Sequence, residues 1–344
     1  MTGPLFAAPR TPPQADAPVL SVRGLEVKFP SLRGDVRAVS NVSFDLKRGE
    51  VLALVGESGS GKSVSMRAIM GITRGKAQVK AERIELLGRD LLSLPEEEKR
   101  KLRGPVISLV LQDALSALNP VLSIGDQLGE LYRIHLRASK REARERVIEL
   151  LRSVRISSAE RRIDDYPHQF SGGMRQRILI APAIAQKPEV LIADEPTTAL
   201  DVTVQAQILD LLDELRETLG MSMLLITHDL GVVARTAERV AVMYAGRIVE
   251  TGSALEIFDA PAHPYTAALL ASAPRITSLG RLEPIGGSPP NLITLPPGCA
   301  FAPRCTRAES LCHSARPELT PGALPGRSHA CHFPLTSMAE PAHG

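Results

Sequence analysis

Short, wholly apolar runs recur along this chain, and each stops at a glycine or a polar side chain. Val51-Leu52-Ala53-Leu54-Val55 ends at Gly56, Val190-Leu191-Ile192-Ala193 ends at Asp194, and Met223-Leu224-Leu225-Ile226-Thr227 ends at His228. VISLVLQ, ending at Gln112, has the same character. Runs of this length rich in β-branched residues, with no polar alternation, predict strands buried on both faces, as in a parallel sheet. Other stretches carry helical spacing. DVTVQAQILDLLDELRETLG places Val204, Ile208, Leu211, Leu215 and Leu219 on one stripe, with Gly220 as its stop. KREARERVIELLRSV predicts an amphipathic helix whose dense i,i+4 charges form a solvated face, to which no function is assigned. VAVMYAGRIVETG predicts a hairpin turning at Ala245-Gly246. The sum is an α/β fold of the doubly wound type.

Composition narrows the class. An apolar fraction of 44% suffices for a real core, and a net charge of +3 with interspersed signs implies no strongly charged partner. Aromatic residues make up 3% and Trp is absent, which argues against a base-stacking surface for single strands, so no nucleic acid partner is expected. Residues 1–18, MTGPLFAAPRTPPQADAP, lack the charged start and apolar run of a signal peptide and predict a disordered tail; residues 336–344 predict a flexible one. No apolar stretch approaches the ~20 residues of a spanning helix. We therefore expect a soluble chain that meets a membrane only through a partner.

The run ending at Gly56 opens into Gly56-Glu57-Ser58-Gly59-Ser60-Gly61-Lys62-Ser63, followed by helical sequence. This satisfies G-x-x-x-x-G-K-[ST] in its strand–loop–helix setting. Glycines let backbone N–H groups wrap phosphates at a helix N-terminus, Lys62 would reach the β- and γ-phosphates, and Ser63 would ligate Mg²⁺. The competing reading is a Gly/Ser-rich loop with a chance lysine. Asp194 and Glu195 stand at the end of a second buried strand, the ligand-binding edge of such a sheet. There Asp194 would hold Mg²⁺ and Glu195 would polarise the attacking water.

Phe170-Ser171-Gly172-Gly173-Met174-Arg175-Gln176-Arg177 completes a resemblance to ABC-type ATPases, whose signature motif this segment is similar to. The order also fits: P-loop, Gln112, signature, Asp194-Glu195, then Thr198-Ala199-Leu200-Asp201 as D-loop and His228 as switch histidine. The resemblance covers about residues 19–335. It implies a P-loop NTPase fold of the ABC type: a parallel core sheet, an antiparallel β subdomain, a helical insertion over about 113–187, and an ATPase domain spanning 19–260. It further implies that Ser171, Gly172, Gly173 and Met174 close over ATP held by a second subunit, that Gln112 contacts Mg²⁺ and the lytic water, and that His228 holds the γ-phosphate. Phe29 stands near the position of an adenine-stacking aromatic, or is an inward-facing core residue. This sequence departs from the family at Leu111, Ala114 and Pro182; the proline should remove a hydrogen bond from the signature helix and kink it.

From FDAPAHPYTAALLASAPRI onward the sequence turns to Pro, Gly and Ala with little periodicity. His263-Pro264-Tyr265-Thr266 and SPPNLITLPPGCAFAPRC resemble the C-terminal extension, residues 261–335, of oligopeptide and dipeptide importer ATPases in the peptide/nickel branch. All four cysteines, Cys299, Cys305, Cys312 and Cys331, fall here at C-x5-C-x6-C-x18-C. Disulfides are not expected in a cytoplasmic ATPase. Zinc sites usually include a pair two to four residues apart, and this spacing has none, although His313, His329 or His332 could substitute. An irregular Pro-rich frame suits a [4Fe–4S] cluster, which the resemblance also implies, and unmetallated thiols remain the third reading. A cluster would staple an extension that looks too poor in periodic apolar residues to fold alone, or would sense redox state.

The resemblance implies an ATP- and Mg²⁺-dependent subunit powering an importer of oligopeptides or dipeptides, with composite sites across a dimer. Its partners would be two transmembrane permease subunits, a second and different ATPase chain, and indirectly an extracytoplasmic solute-binding protein. It would sit peripherally on the cytoplasmic face of the inner membrane. The alternatives are the same role for nickel or another small solute, or a soluble ABC ATPase acting on ribosomes or nucleic acid. The single uninterrupted cassette and the absence of a basic arm argue against the latter.

Overall fold

The computed structural model describes residues 17–111, 117–198, 200–273, 284–322, 324 and 326–335; Gln112, Ala114 and Ala199 lie outside them. Two sheets organise the chain. The smaller is antiparallel and contains β1 (Leu20–Phe29), β2 (Val36–Leu46), β4 (Gln78–Lys80), β5 (Arg83–Leu86) and β6 (Arg89–Asp90). The larger joins β3 (Val51–Val55), β7 (Ile107–Val110), β8 (Val190–Asp194), β9 (Ser222–Thr227), β10 (Arg239–Tyr244) and β11 (Arg247–Ser253) to two short strands, β12 (Thr320–Pro321) and β13 (Ser328–His329). Its order is β12-β13-β11-β10-β3-β9-β8-β7, and the pairings from β10 to β7 are all parallel.

The apolar runs are continuous because both faces of this sheet are covered. Along β8 and β9, Leu191, Ala193, Met223 and Leu225 enter one core, while Val190, Ile192, Leu224 and Ile226 enter another. The first core packs the helices Ile124–Leu136, Lys140–Ser153, Gly172–Ile184 and Val202–Leu219. The second packs the antiparallel sheet and the helix Lys62–Ile69. The predicted stripe on Val202–Leu219 buries Ile208, Leu211 and Leu215, and Gly220 ends the helix at φ 68°. The predicted hairpin turns at Ala245 (φ 46°) and Gly246 (φ 80°), two left-handed residues matching a twist-compatible turn. Pro182 lies inside the helix Gly172–Ile184, where it has no N–H to offer the Ile178 carbonyl four residues back.

The C-terminal extension departs from expectation. Its helix Pro264–Ala271 and the segment around Phe301 share a third core with the sheet: Tyr265, Leu269, Leu270 and Phe301 pack on Ala53, Val55, Val240, Val242 and Tyr244. Strand β13 also pairs with β11, Glu250 opposite His329. Glu250, fully buried, accepts the Ala262 and His263 N–H groups at 2.6 and 2.9 Å and pairs with Arg327 at 3.1 Å. The extension is thus built onto the cassette's sheet.

His263 illustrates the bond between the two parts. Its side chain is buried and caps the helix Pro264–Ala271 by accepting the Tyr265 N–H at Nδ1, 3.0 Å. Burial pushes its pKa down to about 4 from 6.5, with His329 nearby adding in the same direction and a hydrogen bond to Ala330 opposing. A lowered folded pKa means that this contribution is present above pH 6.5 and is lost as pH falls towards 4. Replacing His263 by Asn, which can still cap the helix, should flatten the fall in melting temperature across that window. Thermal denaturation of both proteins as a function of pH checks this; parallel curves would contradict it.

Candidate active site

Three neighbouring strands, β3, β9 and β8, deliver the sequence-predicted groups to one sheet edge. Val55 pairs with Thr227 and Asp194 with Ile226, so Gly56, His228 and Glu195 leave the sheet side by side. The loop after β3 takes a path that demands its glycines. At Gly56 (φ 152°) an added Cβ would meet the Met243 carbonyl oxygen at 2.1 Å; at Gly61 (φ 105°) it would meet the Ala38 carbonyl oxygen at 2.4 Å. The hairpin turn buttresses the loop, with Gly246 donating its N–H to Ser60 O at 2.9 Å.

Lys62 opens the helix that follows and is 5% exposed. Its ammonium folds back on the loop, donating to Gly56 O at 2.6 Å, Glu57 O at 3.0 Å and Ser60 Oγ at 3.4 Å. Burial lowers its pKa, opposed by the charges of Glu195, Asp194 and Glu57. Ser63 donates its hydroxyl to Asp194 Oδ1 at 2.7 Å. The two oxygens assigned to Mg²⁺ are therefore within one hydrogen bond of each other, a fit for one hard cation between them. Asp194 is 2% exposed, and burial raises its pKa, with Glu195 adding to the rise and Ser63, Arg67 and Lys62 opposing it. A dication there would remove the cost of burying that carboxylate.

Glu195 is held from both sides. Its Oε1 lies 3.1 Å from His228 Nδ1, and its Oε2 accepts the Thr198 hydroxyl at 2.9 Å. The residue is left-handed, φ 49°, a conformation that costs a non-glycine residue about 1–3 kcal/mol and is typical of functional sites. With Nδ1 donating to the carboxylate, Nε2 of the exposed imidazole is left for another partner. Such a pair can orient a water and take its proton.

Other predicted residues sit apart. Ser171 is the N-cap of the helix Gly172–Ile184 and accepts the Met174 N–H at 3.4 Å. A Cβ on Gly173 would strike Val204 at 2.5 Å, so that glycine is required by close helix packing. Among the described residues, no hydrogen bond or ion pair joins residues 171–174 to Gly56–Ser63. Asp201 caps the helix Val202–Leu219 through the Val204 N–H, 2.9 Å. Phe29 is part-buried and packs against the edge of the second core.

Two residues at the site escaped the sequence reading. Tyr265 accepts the Glu57 N–H at its hydroxyl, 2.9 Å, and Arg304 grips the Glu57 carboxylate with both Nη atoms, at 2.7 and 3.0 Å. Glu57 and Arg304 are 247 positions apart, and no local pattern signals such a pairing.

The four cysteines all line one small pocket that opens to solvent, together with His263, Phe301 and His332. Burial pushes the Cys331 thiol up to about 11 and raises that of Cys299, the other cysteines adding to both shifts. Among the described residues, no group of three or more His, Cys, Asp or Glu side chains is gathered closely enough to hold a single metal ion. No described helix is long and apolar enough to cross a membrane.

Comparison with known proteins agrees with this geometry. Residues 39–198 match the family described as ABC transporter, and residues 249–312 match the oligopeptide/dipeptide transporter C-terminal region. The dipeptide transport ATP-binding protein DppD of Bacillus subtilis (strain 168) is 52% identical over 88% of this chain and 91% of its own length. The oligopeptide transport ATP-binding protein OppD of Escherichia coli (strain K12) is 47% identical over 94% of this chain and 96% of its own. Among solved structures, the dimeric ATP-binding cassette MJ0796 in a post-hydrolysis state bound to ADP and Pi aligns with TM-score 0.60 and 27% identity, covering 68% of this chain and 98% of that one.

Proposed function

Because the chain belongs to the ABC transporter ATP-binding proteins of the oligopeptide/dipeptide branch, we propose that it hydrolyses ATP to power a peptide importer. The observation that carries the chemistry is the shared edge of β3, β9 and β8, where Ser63 meets Asp194 and His228 meets Glu195. In this reading the loop Gly56–Ser63 cradles the phosphates and Lys62 neutralises them. Ser63 and Asp194, with Gln112, would hold Mg²⁺, which when bound stabilises the charge of the transferring phosphoryl group. Glu195 orients the attacking water and accepts its proton, and His228 fixes the carboxylate. Ser171–Met174, which share no hydrogen bond or ion pair with their own loop among the described residues, act on ATP bound to a second ATPase chain, which we take to be a different polypeptide. MJ0796, an ATP-binding cassette with a dimeric structure, supports the pairing.

The chain would dock peripherally, on the cytoplasmic face, to two permease subunits, with the solute-binding protein acting through them. Leu111, Val121 and Leu122, exposed at 44%, 76% and 40% on either side of the Gln112 segment, support an apolar contact there. Isolation of the tagged chain from solubilised membranes should recover permease subunits and a second ATPase. Recovery only with ribosomes or nucleic acid would overturn the importer reading.

We also assign a [4Fe–4S] cluster to Cys299, Cys305, Cys312 and Cys331. Their common, partly apolar pocket supports it: all four thiols, carried on irregular segments, line one space, and an iron–sulfur cluster takes thiolate ligands from such loops. Bound there, the cluster would tie the irregular segments of the extension together as thiolates. Anaerobically purified protein should be brown and contain iron and acid-labile sulfide, and removal of iron should lower its melting temperature. A colourless, zinc-loaded protein would exclude the cluster.

A further inference from the structure

The contacts at Glu57 are unusual for their origin. Glu57 is the second residue of the phosphate-binding loop, yet its backbone and its side chain are both held by the C-terminal extension. Tyr265, fully buried, takes the Glu57 N–H at 2.9 Å. Arg304, whose side chain is 3% exposed, forms a two-pronged ion pair with the carboxylate. The guanidinium is itself fixed on every side. It donates to Gly286 O at 2.8 Å, Ile285 O at 3.3 Å and the Tyr244 hydroxyl at 3.3 Å, and lies 5.9 Å from the rings of Tyr244 and Phe301. The rings of Tyr244 and Tyr265 lie 4.4 Å apart, tilted by 48°, and join the end of β10 to the same cluster. A planar fork held this way acts as a geometric clamp, because lysine could not reproduce two parallel bonds.

We propose that Arg304 and Tyr265 are positioning residues of the nucleotide site: the extension sets the shape of the phosphate-binding loop by clamping Glu57. The first consequence concerns Lys62. Its ammonium donates to Glu57 O, and Ser60 N–H donates to the same carbonyl at 3.2 Å. Holding Glu57 therefore holds the peptide that Lys62 must leave when phosphate oxygens replace it. The second concerns Arg304's neighbour in sequence. Arg304 directly precedes Cys305, and Phe301, against which it packs, lines the four-thiol cavity. The phosphate-binding loop and that cavity are thus joined through one internally hydrogen-bonded segment, Cys299–Cys305. Any change of packing around the thiols is transmitted to Glu57, and nucleotide binding acts back on the cavity with the same coupling.

The inference rests on Gly56–Ser63 being the ATP site, and the test separates the two. Binding of a fluorescent trinitrophenyl-ATP is measured with the full-length chain, and KM and kcat with the purified transporter complex. Glu57→Gln and Arg304→Lys should each weaken binding about 10-fold, the scale of losing a charged hydrogen-bonded pair. The double variant should be no weaker than the worse single one, since both remove the same clamp. KM for ATP should rise while kcat stays within about 2-fold, because the residues that act on the water are untouched. Exchanging the charges, Glu57→Arg with Arg304→Glu, should recover part of the affinity. If Arg304 variants fail to fold, Glu57→Gln, altered on a side chain 26% exposed, decides alone. Wild-type affinity in Glu57→Gln, or strictly additive losses, would overturn the clamp. Failure of the wild-type chain to bind the analogue would instead overturn the ATP site itself.

Discussion

Changing Glu195 to glutamine should lower ATP turnover about 10²–10⁴-fold, the range supplied by a positioned general base, while ATP affinity stays within about 3-fold. Glutamine preserves the volume of the side chain and can still meet Thr198 and His228, which lie 2.9 and 3.1 Å from the carboxylate oxygens. What it loses is the ability to accept a proton from water. The left-handed backbone at Glu195 is set by the strand end and the following turn, so the substitution leaves φ 49° as it is. ATP would then bind, close the composite site and stay. Steady-state phosphate release, set beside nucleotide retention and dimer formation, checks this. Hydrolysis at the wild-type rate would remove Glu195 as the base.

The second large effect is at Lys62. Lys62→Ala should weaken ATP binding about 10–100-fold, the loss of a charged hydrogen-bonding partner, and reduce turnover by a further 10²–10³-fold through lost stabilisation of the phosphoryl charge. The stability of the fold should change little. The ammonium is buried and its donors meet only the loop's own Gly56 O, Glu57 O and Ser60 Oγ, so its removal relieves a desolvation cost as well as losing those bonds. Equilibrium binding and thermal denaturation of the same variant separate the two. Loss of affinity with an unchanged melting temperature is the expected pattern; equal loss of both would mean that Lys62 is mainly structural.

What the sequence could disclose follows from how local each signal is. The strands β3, β8 and β9 are short apolar runs buried on both faces, and the groups they present follow them directly in the chain. Lys62, Ser63, Asp194, Glu195 and His228 were legible for that reason. The signature segment was legible as a motif, although its N-cap geometry alone says nothing of a second chain. The extension's identity was legible in its HPYT segment, but its packing was not, because its signals are not periodic. Tyr265, Leu269 and Leu270 lie on a single short helix, Phe301 lies on an irregular segment, and they become a core only against Val240, Val242 and Tyr244. Strands of two residues, such as β12 and β13, carry no alternation at all. The clamp on Glu57 was invisible for the same cause: its members come from opposite ends of the chain and meet only after the sheet has formed.

The most direct test of the account is peptide uptake by the purified transporter complex in proteoliposomes supplied with ATP and Mg²⁺ on the side of this subunit. Uptake against a gradient is expected, in step with ATP hydrolysis, with loss of both when this chain alone carries Glu195→Gln. Hydrolysis by this chain with no accompanying uptake, or uptake that persists with Glu195→Gln, would contradict it.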